Sequence, residues 1–265
     1  MSELIIEKQG AITILTLNRP QRHNAINTSM STALREAVAD FDQDLSQQVL
    51  IVTGSGPKAF CAGADLKGLG GEDGGGRRAP RSKQPDIGGL AACEKPVIAA
   101  INGFAVGGGL EIALCCDIRL AVEDAWFGLP EASRGFIAGV AAVVLPRIIG
   151  VGATLDMMLT GERVGAPEAF RLGLVQKVMP TREALMAEAM RKAELMCGLS
   201  RAALMGTKRI VRFARDLMLA EQQVVHDMVA HRVLLTGDFM EGIDAFREKR
   251  APRFSKGWPD PLKRD

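Results

Sequence analysis

Residues 96–117 constrain this chain more than any other stretch. After Pro96, the apolar run Val97-Ile98-Ala99-Ala100-Ile101 predicts a strand covered on both faces, which only a layered α/β fold supplies. Asn102-Gly103 is turn chemistry. Gly107-Gly108-Gly109 then bare the backbone just where Leu110 to Cys116 predicts a buried helix. Amides pointing out of a helix start make an anion site, because the orphan N–H groups and the helix dipole both favour negative charge. Glu111, two or three residues beyond that site, is poorly placed to bind an anion and well placed to move a proton beside one. Two readings stand at this point. The glycines could instead serve close strand–helix packing, and an acid in a first helical turn is favoured by the dipole alone.

The remainder of the chain has the same rhythm. Leu4–Glu7 and Ile12–Leu17 flank Gln9-Gly10 as a hairpin. A helix capped by Thr28 or Ser29 is expected to run to about Asp44, with Met30, Leu34, Val38 and Phe41 on one stripe. Val49–Thr53 and Ile118–Val122 read as further strands, and Val140–Ile148 as a helix ended by Gly150. From Thr181 the pattern is helical throughout, over about Arg182–Met196, Ser200–Leu219, Glu221–Leu235 and Phe239–Lys249. The expected organisation is an α/β core over residues 1–195 and a helical C-terminal region over 196–265. Within the core region, the glycine-rich and mixed-charge stretch 68–89 reads as a mobile loop with solvated charges.

Composition removes several classes of function. A net charge of +2 over 265 residues gives no field for nucleic acid or acidic membranes. Tyrosine is absent and aromatics make up 5%, which leaves no base-stacking platform. The five cysteines form no C-x-x-C pair, so zinc and disulfide readings are poor and a reducing, cytoplasmic setting fits. No signal peptide or membrane-length apolar run is visible. His23, His226 and His231 show no spacing with acids that suggests a triad or a metal site.

Two further segments carry chemistry. Phe60–Lys67 contains the small residues Ala62-Gly63-Ala64, which again let the backbone be approached closely. Gly128-Leu129-Pro130-Glu131 brings a second acid into a loop whose backbone Pro130 stiffens.

Taken in order, Asn18-Arg19-Pro20, Phe60–Lys67, Asn102–Glu111, Cys116-Asp117-Ile118, Phe127–Glu131, Leu159-Thr160-Gly161 and Glu241–Arg250 resemble the crotonase family, the enoyl-CoA hydratases and isomerases. The resemblance spans nearly the whole chain. It implies a ββα spiral core with a helical trimerisation region, assembled as a homotrimer or dimer of trimers. It also implies acyl-CoA thioester substrates, with no metal or organic cofactor. By resemblance, the amides of Ala64 and Gly108 form the oxyanion hole, and Glu111 and Glu131 match the two acids of true hydratases. Ala62, Asp65, Leu66 and Lys67 lie where the family holds the adenine end of CoA. Phe246 and Lys249 match a pair reaching a neighbouring subunit's CoA, although core packing and a solvated charge would also explain them. Arg22 is an added candidate for a phosphate contact.

The expected activity is reversible hydration of the 2,3 double bond of an enoyl-CoA. The alternatives are another reaction of the family, such as double-bond isomerisation, and a non-catalytic acyl-CoA binding protein. One departure bears on the site: Ala138 stands where the hydratase pattern has proline, and Val140–Val144 replaces a run of small residues. This predicts a stiffer helix start and a narrower space beside Glu131.

Overall fold

The computed structural model describes residues 2–65, 88–213 and 217–255. The expected loop over 68–89, apart from its last two residues, lies outside the described residues, as do Leu66 and Lys67.

Among the described residues, ten strands form two sheets. β1 (Leu4–Gln9), β2 (Ile12–Leu17), β3 (Val49–Gly54), β5 (Val97–Ile101), β7 (Ile118–Val122) and β10 (Lys177–Met179) make the larger, in the order β1-β2-β3-β5-β7-β10. β1 and β2 are the expected antiparallel hairpin; every other pairing in this sheet is parallel. β4 (Ala59–Cys61), β6 (Phe104–Val106), β8 (Trp126–Gly128) and β9 (Val164–Gly165) make the smaller, in that order. In it β4, β6 and β8 run parallel and β9 antiparallel. β3 and β5 are buried along their whole lengths, as continuous apolar runs covered on both faces should be.

The helices are α1 (Thr28–Gln43), α2 (Gly88–Ala92), α3 (Gly108–Cys115), α4 (Gly139–Val144), α5 (Pro146–Ile149), α6 (Val151–Thr160), α7 (Ala166–Arg171), α8 (Arg182–Cys197), α9 (Arg201–Phe213), α10 (Leu219–Leu234) and α11 (Asp238–Glu248). The pairs β3/β4, β5/β6 and β7/β8 each place one strand in the large sheet and the next in the small one. Each pair is followed by a helix, so the unit repeats as strand, strand, helix: the expected ββα spiral. α8 packs across β3, β5 and β7 and closes the core. α9, α10 and α11 follow it, with Gly206 of α9 close against Val229 and Val233 of α10. No helix among the described residues is long and apolar enough to cross a membrane.

Two local expectations change. The cap of α1 is Asn27, not Thr28 or Ser29: its side chain accepts the Met30 N–H at 2.8 Å. Asn ranks with Ser as an N-cap, and the extended backbone at Asn27 leaves its amide oxygen free to turn back on the helix. The helix expected over Val140–Ile148 is two, because Pro146 cannot continue α4 and starts α5.

Candidate active site

The topology brings the candidate residues together before any side chain is considered. β4, β6 and β8 are adjacent parallel strands, so the segments leaving their C-terminal ends are neighbours. Ala64 follows β4, Gly108 follows β6 and Glu131 follows β8. The carboxyl ends of parallel strands are where open α/β sheets form binding crevices.

Close approach then sets the geometry. A Cβ built on Gly63 would lie 3.0 Å from the Gly108 nitrogen, so the 62–65 segment runs directly beside the start of α3. A Cβ on Gly109 would lie 2.1 Å from the Cys61 carbonyl oxygen, a separation no side chain tolerates. Glycine at 109 is therefore required for the two segments to touch. The segment bearing Ala64 is pinned on its other side. The Ile26 N–H donates to Gly63 O (2.8 Å), and the Asp65 N–H donates to Ile26 O (2.9 Å). That ladder skips Ala64. Among the described residues, neither the Ala64 nor the Gly108 amide enters a turn, loop or side-chain hydrogen bond. Two bare donors on adjoining segments, one of them at a helix N-terminus, form an anion cradle.

Glu111 and Glu131 meet at the same place. Glu111 lies in the first turn of α3 and is 8% exposed. Its Oε1 accepts the Val140 N–H (2.8 Å) and the Ala141 N–H (3.0 Å), so it caps α4 from another element. Glu131 reaches back over the start of α3: a Cβ on Gly107 would lie 2.7 Å from its Oε1. Gly107 has φ +56°, in the region that favours glycine, and that conformation sends the chain from β6 into α3 beneath the Glu131 carboxyl. Glu131 Oε2 is buried and has no hydrogen-bond partner. Burial pushes the Glu131 pKa up from 4.5, and the nearby Glu111 carboxylate raises it further. One acid is thus tied to backbone donors, and the other is desolvated and disposed to hold a proton. A carboxylate held by backbone donors beside a carboxyl disposed to keep its proton is an arrangement that can divide base and acid work.

Within the segment that departs from the hydratase pattern, Ala138 is buried and Val140 and Val144 pack against the core. Nothing lies within 4 Å of where a Gly139 Cβ would sit, and Val143 is 57% exposed. The Val140 and Ala141 amides at the start of α4 turn towards Glu111.

The remaining candidates are dispersed. Ala62 donates its N–H to His23 O (3.0 Å) beside the cradle, and Arg22 lies exposed in the turn just before it. Asp65 places its carboxylate 2.9 Å from the Arg19 guanidinium. Phe246 is 85% exposed on α11, which excludes core packing for it, and Lys249 ends that helix in the left-handed region with φ +53°.

Arg19 is the residue that sequence reasoning missed. It is buried, donates to Ala25 O (2.6 Å) and pairs with Asp65, so it braces the segment carrying Ala64 from behind. Asn18-Arg19-Pro20 is visible as a motif, but its role depends on contacts across 46 residues of sequence.

The enoyl-CoA hydratase/isomerase family model matches residues 7–257. The chain belongs to the enoyl-CoA hydratase/isomerase family. Within the family it is 35% identical to the crotonyl-CoA hydratase of Syntrophomonas wolfei over 95% of this chain and 97% of that one. It is 37% identical to the (E)-benzylidenesuccinyl-CoA hydratase of Thauera aromatica, over 94% and 97% respectively. The crystal structure of an enoyl-CoA hydratase from Bacillus anthracis superposes with a TM-score of 0.89 at 31% identity, covering 97% of this chain and all of that one.

Proposed function

We propose that this protein is an enoyl-CoA hydratase, adding water reversibly across the 2,3 double bond of an enoyl-CoA thioester. The observation that carries the proposal is the pairing of a backbone-tied Glu111 with a Glu131 whose buried Oε2 has no partner, beside two amides outside the loop and turn bonding. Glu111 and Glu131 hold one water between them. As the water oxygen attacks C3, Glu111 takes its proton. The π electrons move to C2 and the thioester oxygen, where negative charge builds against the Ala64 and Gly108 amides. Glu131 then gives its proton to C2. Dehydration runs the same steps backwards with the roles reversed. Each positioned acid or base is worth roughly 10²–10⁴ in rate. Loss of one oxyanion donor costs on the order of 3 kcal/mol of barrier. The chemistry needs no cofactor beyond the CoA carried by the substrate.

In the same reading Ala62, Arg22 and the segment continuing through Leu66 and Lys67 receive the nucleotide end of CoA. Phe246 and Lys249 contribute to a neighbouring copy in a trimer or a dimer of trimers; the exposure of Phe246 supports this. A reducing cytoplasmic compartment suits five free cysteines, four of them buried.

The test follows the conjugated absorbance of crotonyl-CoA and longer or branched enoyl-CoAs on mixing with the protein. Hydration removes the conjugation. No loss at any chain length would sink the proposal. Conversion of a 3-enoyl-CoA that survives Glu111→Gln would instead identify an isomerase working with one acid.

A further inference from the structure

α3 carries both Glu111 and the Gly108 amide, yet it has only eight residues. A helix of two turns has little rigidity of its own, so its direction is set by what holds its ends. The N-terminal end rests on the Cys61 carbonyl through Gly109. The C-terminal end is held by α9, a helix outside the spiral core. Arg212 donates to the Cys115 carbonyl at 2.6 Å and to the Ala91 carbonyl at 3.1 Å, and pairs with the Asp117 carboxylate at 2.7 Å. Lys208, one turn earlier and partly buried, reaches the same carboxylate at 2.8 Å and the Lys95 carbonyl at 2.6 Å. Asp117 also accepts the Val97 N–H at 2.8 Å and returns its own N–H to Val97 O at 2.8 Å. One carboxylate therefore joins the end of α3, the start of β5, and two cations from α9.

This arrangement is more specific than helix docking requires. Arg201 and Arg209 anchor the same helix elsewhere, Arg201 on the Leu45 and Gln47 carbonyls and Arg209 on Glu94. Arg212 donates to a carbonyl of α3 itself. There its charge also complements the negative end of the dipole whose positive end faces the anion cradle.

We propose that Arg212 and Lys208 are positioning residues for the reaction, acting through Asp117 and the Cys115 carbonyl to aim α3, and with it the Gly108 amide and Glu111, at the thioester. This rests on the hydratase reading. It makes the C-terminal helical region part of the catalytic apparatus as well as a surface for assembly.

The experiment compares Arg212→Gln, Arg212→Lys and Arg209→Gln in the full chain, with three readouts. These are kcat and KM for crotonyl-CoA, the melting temperature, and the absorbance red shift of an aryl-conjugated enoyl-CoA at saturation, which reports polarisation of its carbonyl by the cradle. Arg212→Gln is expected to lower kcat about ten- to hundredfold, as a small misplacement of catalytic groups does. It should also lose most of the red shift and leave KM within about twofold, the signature of a transition-state loss. Arg212→Lys, which keeps the cation, should recover most of both. Arg209→Gln should match wild type in kcat and shift. Wild-type kcat and shift in Arg212→Gln, or an equal loss in Arg209→Gln, would overturn the proposal. Should Arg212→Gln not fold, Lys208→Met gives the same reading, with a smaller kcat loss expected and an unchanged kcat overturning it. A wild-type chain with no turnover would end the hydratase reading, and the red-shift comparison would still decide the clamp.

Discussion

At the scale of residues, Glu111 and Glu131 are the same side chain with different neighbours. Glu111 faces two amide hydrogens at the start of α4, and Glu131 faces none at Oε2. In the proposed reaction Glu131 gives up a proton during hydration, and burial raises its pKa in the direction that retains one. The rate of hydration should therefore fall as pH rises through a value above the ordinary 4.5. Initial rates across pH test this; a fall centred at 4.5 would remove Glu131 as the acid. Stability carries the same sign. A group that binds its proton more tightly folded than unfolded contributes below its unfolded pKa, and that contribution is lost as pH rises through the folded value. Denaturant unfolding of Glu131→Gln should lack this dependence, and its turnover should drop by about 10² or more. Gly107→Ala should do comparable damage from the backbone. Its φ costs about 1–3 kcal/mol in an alanine. The new methyl would meet Glu131 Oε1 at 2.7 Å. A variant with wild-type kcat would show that the Glu131 carboxyl need not sit over Gly107.

At the scale of elements, the site depends on two segments touching, and Gly109 against the Cys61 carbonyl is the tightest point between them. Gly109→Ala must push α3 away from the Ala64 segment, separating the two amides. We expect kcat to fall more than KM rises, by about 10² to 10³, the measured cost of one lost oxyanion donor. Steady-state kinetics check this, and an effect confined to KM would contradict it. α8 supplies a second test. Glu188 is ringed by Arg191, Lys177 and Lys192, and the hydrogen bond from Arg191 leads in holding its pKa down at about 2. A carboxyl whose pKa is lowered on folding stabilises above its unfolded value of 4.5 and loses that contribution as pH falls towards 2. Acid unfolding of Glu188→Gln should therefore be flatter across that window than wild type; coincident curves would show that the ring adds nothing.

At the scale of the whole molecule, the C-terminal region exposes several large apolar side chains. Phe246 is 85% exposed, Leu235 65%, and Phe239 and Met240 56% each. Large clustered apolar exposure marks a surface that meets another chain. Sedimentation should return a multiple of three chains, and Phe239→Ser with Met240→Ser should shift it towards monomer. A wild-type monomer at micromolar concentration would refute the trimer. Because α9 also grips the rear of α3, dissociation should lower kcat as well as particle mass.

The strand-turn-glycine-helix passage at 96–117 was readable in advance because a doubly covered strand and a bare helix start are each local signals. The helices after 181 were readable because their periodicity is continuous. The cap at Asn27 and the break at Pro146 were local choices that the pattern left between several residues. The convergence of Ala64, Gly108 and Glu131 was not local at all: it arises because the ends of β4, β6 and β8 are neighbours in a sheet whose strands are separated by long stretches of chain. Lys208 and Arg212 read in sequence as ordinary charges, and Arg19 and Asp117 as members of motifs without a stated contact, since nothing in their spacing reveals which carbonyl or carboxylate they will meet. What the amino-acid order determined by itself was which residues could do chemistry and which segments would be strand or helix, both being functions of side chain and near neighbours. What only the tertiary structure decided was the state of those residues. Proton affinity, donor availability and helix direction depend on the groups that packing brings alongside.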